Sequence, residues 1–187
     1  VYTYDPRRQP FSKIPFILYP VYQVNGFLEI LQAIGSYDLQ IEKSRDMGAS
    51  WLCVLAFEWL WHFRKGQSFL MVSRTENYVD DAENPKSLFW KLDFIHDNIP
   101  AWLMPEGFNR NEHRRKLHVY NPETKSVIDG ESTTGQVARG DRRTAILLDE
   151  FAAVEQGHKV LAATRDATNS RIFNSTPQGI NNAYYDI

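Results

Sequence analysis

The segment TAILLDE, Thr144 to Glu150, constrains the fold more than any other stretch. Its centre, Ala145 to Leu148, is apolar at four successive positions, so a strand built from it must be covered on both faces. A sheet sandwiched between helices meets that demand, and such sheets are mostly parallel. The flanking sequence supplies the helices. A strand at about 38–42 precedes a helix at about 49–64, a strand at 68–73 precedes a helix at about 79–99, and the strand at 145 precedes a helix at roughly 154–167. A further strand, RIFNSTPQG, begins at Arg171. This order predicts an α/β fold, a mostly parallel sheet flanked by helices with right-handed crossovers.

Two regions depart from the alternation. Residues 1–36 are rich in proline and aromatics, with an apolar run over 27–34 that suits a short helix. Residues 105–140 are polar, and KLHVYNPETKSVID reads as a small β-hairpin insertion turning at Asn121–Pro122. No repeat, low-complexity tract or Gly/Ser linker divides the chain, so one domain over 1–187 is expected, with an N-terminal arm at 1–36 and a core at 37–187.

Composition removes several function classes. A formal net charge of −2 excludes coating of nucleic acid through overall charge, and any polyanion contact must be local. The single cysteine, Cys53, excludes an internal disulfide and a multi-cysteine zinc site. The most apolar run, ASWLCVLAFEWLWHF, falls short of the roughly 20 residues a membrane span needs and carries Glu58. It reads as a buried helix, with Trp51, Leu55, Trp59 and Phe63 as its core-facing row. The five histidines show no metal-ligand spacing, and the basic cluster RNEHRRK reads as a solvated face, with DNA contact as the alternative.

Open parallel sheets bind ligands beyond the carboxyl ends of their strands. Three such ends carry polar residues suited to phosphate chemistry. After the first strand comes KSRDMGAS, in which Gly48 lets the backbone wrap a phosphate, the next helix aims free N–H groups at it, and Ser50 offers a hydroxyl to magnesium. The second end is Asp149–Glu150, adjacent carboxylates that a strand points differently, one toward a metal shell and one toward an attacking water. The third is NSTPQG, where Asn174 to Thr176 place small polar groups near a γ-phosphate. Against the pattern GxxxxGK[ST], Ala49 stands where the lysine belongs. Backbone N–H groups carry only partial charge, so a cation must come from elsewhere, and Lys43 and Arg45 are both available.

The segments KSRDMGAS, TAILLDEFA and NSTPQG, with ARGDRR ahead of the second, resemble the ATPase domain of the large terminase subunit of tailed bacteriophages, from Pro15 onward. The resemblance implies a P-loop NTPase of the additional-strand (ASCE, RecA-like) type, using ATP and Mg²⁺. Its phosphate loop would span Lys43, Ser44, Arg45, Asp46, Met47, Gly48, Ala49 and Ser50, with Lys43 or Arg45 as the relocated cation. Asp149 and Ser50 would hold the metal, Glu150 would be the catalytic carboxylate, and Thr176 would couple hydrolysis to movement, although Ser175 stands where the family more often has glycine. Arg139 would reach a neighbouring subunit's ATP in trans, and in FILYPVYQ Gln23 would read the adenine edge with Tyr22 or Tyr19 stacking. Arg74, after the second strand, is a further candidate for phosphate or DNA.

The function this implies is translocation of double-stranded viral DNA into a procapsid. It would be carried out in the host cytoplasm by a homo-oligomeric ring on a portal, with a small terminase subunit and no membrane. The nuclease domain that accompanies this ATPase in full-length subunits is expected to be absent. Two alternatives stay open from the residues alone: a helicase-type DNA- or RNA-dependent ATPase, and a scaffold that binds nucleotide without turning it over.

Overall fold

The computed structural model describes residues 1–133, 137–138 and 141–187. A short antiparallel hairpin, β1 (Tyr2–Tyr4) and β2 (Lys13–Pro15), precedes α1 (Pro20–Ala33). The chain continues as β3 (Leu39–Glu42), α2 (Ala49–Phe63), β4 (Ser68–Ser73), α3 (Glu76–Val79), α4 (Leu88–Asp97) and α5 (Arg110–His113). Next come β5 (Arg114–Arg115), β6 (His118–Tyr120), β7 (Val127–Ser132), β8 (Ala145–Asp149), α6 (Gly157–Arg165) and β9 (Arg171–Ser175). Among the described residues the main sheet has seven strands in the order β3-β9-β8-β4-β7-β6-β5. The first five run parallel, and β6 pairs antiparallel with both β7 and β5.

Alternation along the strands divides the core into two layers. Phe69, Met71, Ala145, Leu147 and Ile172 face α1, α2 and α4. Leu70, Val72, Ile146, Leu148 and Phe173 face the opposite way, toward α6 and Phe151. The apolar run in β8 is therefore buried on both faces, as its composition requires.

Several sequence expectations need correction. The helix expected over 79–99 begins only at Leu88, as α4: α3 has already ended at Val79, Pro85 in the segment between cannot continue a helical hydrogen-bond ladder, and Ser87 starts the new helix, its hydroxyl accepting from Trp90 N at 3.3 Å. The N-terminal helix is longer than its apolar run, because Pro20 occupies its first turn, where a missing N–H costs nothing. Helix α6 begins at Gly157, after a 3₁₀ turn at Phe151–Ala153, rather than near 154. The hairpin read as an insertion is fused to the sheet, since β7 also pairs in parallel with β4 from Ser68↔Val127 to Ser73↔Ser132.

The core-facing row of α2 is also different. Trp59 and Phe63 are exposed, whereas Leu52, Cys53, Ala56, Phe57 and Trp61 are buried. Wedged between the sheet and α1 and α4, α2 is apolar nearly all round, so a four-residue spacing does not single out its inner face. Three cations of the basic cluster at 110–116 are paired with acids. Arg114 is forked between Asp80 and Asp93 at 2.7–3.0 Å, Arg110 pairs with Asp97 and Asp93, and Lys116 pairs with Glu76.

Three buried ionisable groups, the Glu58–His62 pair and Lys91, give the core a pH signature. His62 is held between two acceptors, Glu58 Oε1 at 3.0 Å from Nδ1 and the Leu103 carbonyl at Nε2, so both ring nitrogens must carry protons. Burial alone would raise the Glu58 carboxyl, but the hydrogen bond from His62 and the neighbouring imidazoles hold it down at about 2. Glu58→Gln leaves the imidazolium buried without its counter-charge, and urea unfolding at pH 6 is expected to show a loss of about 3 kcal/mol. Lys91 on α4 is buried, its Nζ donating to the carbonyls of Lys86 and Ser87. Burial pushes it from 10.5 down to about 8, against the opposing pull of Asp149 and Glu150. Between those two values the unfolded chain binds more protons than the folded one, so stability rises with pH. Relative to Lys91→Met, the unaltered chain is expected to gain about 3 kcal/mol across that window in unfolding titrations.

Candidate functional site

The carboxyl ends of β3, β9, β8 and β4 meet at one edge of the sheet, beside the first turn of α2. The turn from β3 into α2 is Lys43 to Gly48, with Asp46 and Gly48 both at positive φ, +62° and +75°. Gly48 is required there twice over. Its backbone is left-handed, and a Cβ would lie 2.9 Å from Gln23 Nε2 and 3.3 Å from the Phe16 ring. Among the described residues no side chain caps the helix that follows, so its first N–H groups are left to an anion.

Strand alternation decides what faces this helix. Ala145, Leu147 and Asp149 share one face of β8, Ile172 and Asn174 share the same face of β9, and the register sets Asp149 beside Asn174. The Ser50 hydroxyl donates to both Asp149 oxygens, at 3.0 and 3.1 Å. Asn174 Nδ2 donates to Asp149 Oδ1 at 2.5 Å and to Ser50 Oγ at 3.2 Å. Hydroxyl and carboxylate oxygens are the donors a small hard cation prefers, and magnesium takes only one or two protein ligands when phosphates and water supply the rest. Among the described residues no group of three or more His, Cys, Asp or Glu could hold a metal by itself. The donor set therefore fits a magnesium that arrives with a phosphorylated ligand.

The two candidate cations differ in placement. Lys43 is half-buried and its Nζ donates to Thr176 Oγ1 at 3.3 Å, while its backbone N–H reaches Ser175 O at 3.3 Å. Arg45 is exposed, as are Ser44 and Asp46, and Asp46 meets Arg7 from the N-terminal hairpin at 3.1 Å. Ala49 is buried at the start of α2, and Met47 lends its carbonyl to Gln23.

Glu150 lies just past the strand in a left-handed conformation, φ 53°, which turns its side chain away from that of Asp149. It pairs with Arg74 at 3.2 Å, and the Arg74 guanidinium stacks over Tyr78 at 4.3 Å. The Ser175 hydroxyl accepts from Ala152 N at 3.1 Å and donates to Thr176 O at 3.1 Å, tying the segment after Glu150 to the third polar strand end. This bond is one a glycine could not make.

On the N-terminal side, Gln23 is buried and its amide is engaged. Oε1 accepts from Leu18 N and Tyr19 N at 2.8 and 3.1 Å, and Nε2 donates to Met47 O at 3.1 Å. Reading a base edge with the paired amide would mean breaking those bonds, whereas Tyr22 and Tyr19 are exposed and open to stacking. Arg139 lies outside the described residues. Sequence reasoning did not find the contacts of Asn174 and Arg74 or the buried ammonium of Lys91. The period-2 alternation through Ile172 and Asn174 was the available signal for the first, while the other two depend on packing between distant segments.

No protein-family model matches the sequence, and no curated protein is similar to it. Solved structures are similar in fold. The large terminase of bacteriophage HK97 superposes with a TM-score of 0.61 at 12% identity, over 91% of this chain and 36% of that one. The large terminase of a thermophilic bacteriophage gives 0.59 at 13% identity, over 86% of this chain and 41% of that one. The large terminase ATPase domain of Thermus phage P74-26 gives 0.52 at 20% identity, over 86% and 66%. The chain thus spans well under half the length of the first two, and what it shares with all three is the fold of the large terminase ATPase domain.

Proposed function

We propose that the chain is an ATP-hydrolysing motor domain that drives double-stranded DNA into a viral procapsid, working in the host cytoplasm. The observation that carries this reading is the Ser50–Asp149 contact at the head of α2, with Lys43 reaching across to Thr176. These elements bring a hydroxyl, a carboxylate, a cation and free helix N–H groups to one strand edge, the set needed to bind a nucleoside triphosphate. The terminase-like fold supports the DNA-packaging assignment.

In this reading the α2 N-terminus and the Lys43–Gly48 turn cradle the phosphates, and Lys43 supplies the charge that Ala49 cannot. Arg45 remains the alternative cation, turned outward until a ligand draws it in. Ser50 and Asp149 would hold magnesium, which supplies electrostatic stabilisation of the charge developing on the transferred group. Glu150 orients the water that attacks the γ-phosphorus as the bond to the bridging oxygen breaks, releasing ADP and phosphate. Arg74 governs where the Glu150 carboxylate points, since the two are paired at 3.2 Å. Thr176, bonded to the Lys43 ammonium, links the state of the phosphates to β9 and the segment beyond it.

Tyr22 would stack on the base, and Gln23 would act by fixing the phosphate turn through Met47 O. Arg139 would serve in trans within a homo-oligomeric ring on a portal, with a small terminase subunit as a further partner. The helices in the described residues include none long and apolar enough to cross a membrane.

Turnover and binding separate the motor from a non-hydrolysing scaffold. Glu150→Gln is expected to lower magnesium-dependent ATP hydrolysis at least 100-fold while leaving ATP affinity within about threefold, and Arg74→Ala to reduce turnover more than affinity. A chain that binds ATP, alone and with DNA, yet shows no turnover for Glu150→Gln to remove would instead be the scaffold.

A further inference from the structure

The third polar strand end contains a residue whose placement is costly and whose contacts all point at the metal ligands. Asn174 is fully buried in β9. Its Nδ2 has two hydrogens, one directed to Asp149 Oδ1 at 2.5 Å and the other to Ser50 Oγ at 3.2 Å. Its own Oδ1 is buried with no hydrogen-bond partner among the described residues. The amide cannot be reversed, because that would press its carbonyl oxygen against a carboxylate oxygen. A buried carbonyl without a donor is destabilising, and an apolar side chain would avoid the cost.

Holding the two strands together does not require this amide. The β8–β9 ladder is paired in parallel from Ile146↔Arg171 to Asp149↔Asn174. What the amide does uniquely is close a triangle with Ser50 and Asp149. Ser50 spends its one proton on Asp149 and one lone pair on Nδ2, which leaves its second lone pair as the single unused site on that oxygen among the described contacts.

We propose that Asn174 is the positioning residue of the magnesium site, orienting the Asp149 carboxylate and leaving one lone pair of Ser50 free for the cation. This rests on the nucleotide reading above. It acts through Asp149 and Ser50 and needs no contact with the substrate. Outer partners of metal ligands of this kind typically change metal affinity by about 10–100-fold when removed.

The test compares the unaltered chain with Asn174→Leu, near in size but without donor or acceptor, and with Asn174→Ala. Manganese stands in for magnesium, its free form followed by electron paramagnetic resonance in the presence of saturating ADP, and metal-free thermal unfolding is recorded alongside. The expected result is a manganese dissociation constant raised about tenfold or more, and to a similar extent, in both variants, while their metal-free midpoints differ, each losing the donor to the buried Asp149 but filling the space differently. Unchanged manganese affinity in the variants overturns the proposal, as does an affinity loss that tracks the drop in the metal-free midpoint from one variant to the other. If the unaltered chain binds neither ADP nor manganese, the nucleotide reading itself fails, and the role of Asn174 falls with it.

Discussion

The parallel pairing of β8 with β4 on one side and β9 on the other is the constraint on which the rest of the molecule depends. Because all three strands run the same way, Ser73, Asp149 and Asn174 lie at the same ends of their strands. Because β3 joins parallel to β9, the turn carrying Lys43 arrives there too. Period-2 alternation then sorts the side chains. Asp149 and Asn174 continue the rows that face α2, whereas Ser175 points to the other layer and fastens Ala152. The site is a consequence of register, so a slip of one residue in β9 would replace Asn174 beside Asp149 with a neighbour whose side chain faces the opposite layer.

The same register shows how the proposed phosphate turn could work without a lysine at its usual place. A lysine at the position of Ala49 would emerge from the first turn of α2, whereas Lys43 emerges from the end of β3. Its ammonium nevertheless meets Thr176, because β3 and β9 end side by side, Glu42 opposite Ser175. In the proposed reading the charge would be delivered from the strand rather than from the helix. Lys43 would then connect the phosphates to the strand end that follows Asn174 through its contact with Thr176.

Much of this was legible in the sequence, and the limits have physical causes. The apolar run at Ala145–Leu148 and the flanking periodicities were enough to predict a parallel sheet with helices on both faces. The break between α3 and α4 was written in Pro85 and Ser87, and was masked by the apolar residues on either side. The inner face of α2 was not legible, because a helix wrapped by a sheet and two other helices has no polar side to set its phase. At the site, Ser50 and Asp149 could be paired from motif order, but the engagement of Gln23 by Leu18, Tyr19 and Met47 depends on how the N-terminal segment folds back. Pairings such as Arg74 with Glu150 and Arg114 with Asp80 span separations that local sequence does not encode.

In the proposed site, a strand-borne cation replaces the missing helix lysine. The most direct test of this replacement is calorimetric titration of magnesium-ATP into the unaltered chain, Lys43→Ala and Arg45→Ala. Measurable binding by the unaltered chain, a loss of affinity of tenfold or more in Lys43→Ala, and near-normal binding in Arg45→Ala are expected. Full affinity in Lys43→Ala, or no binding by the unaltered chain at millimolar ATP, would contradict it.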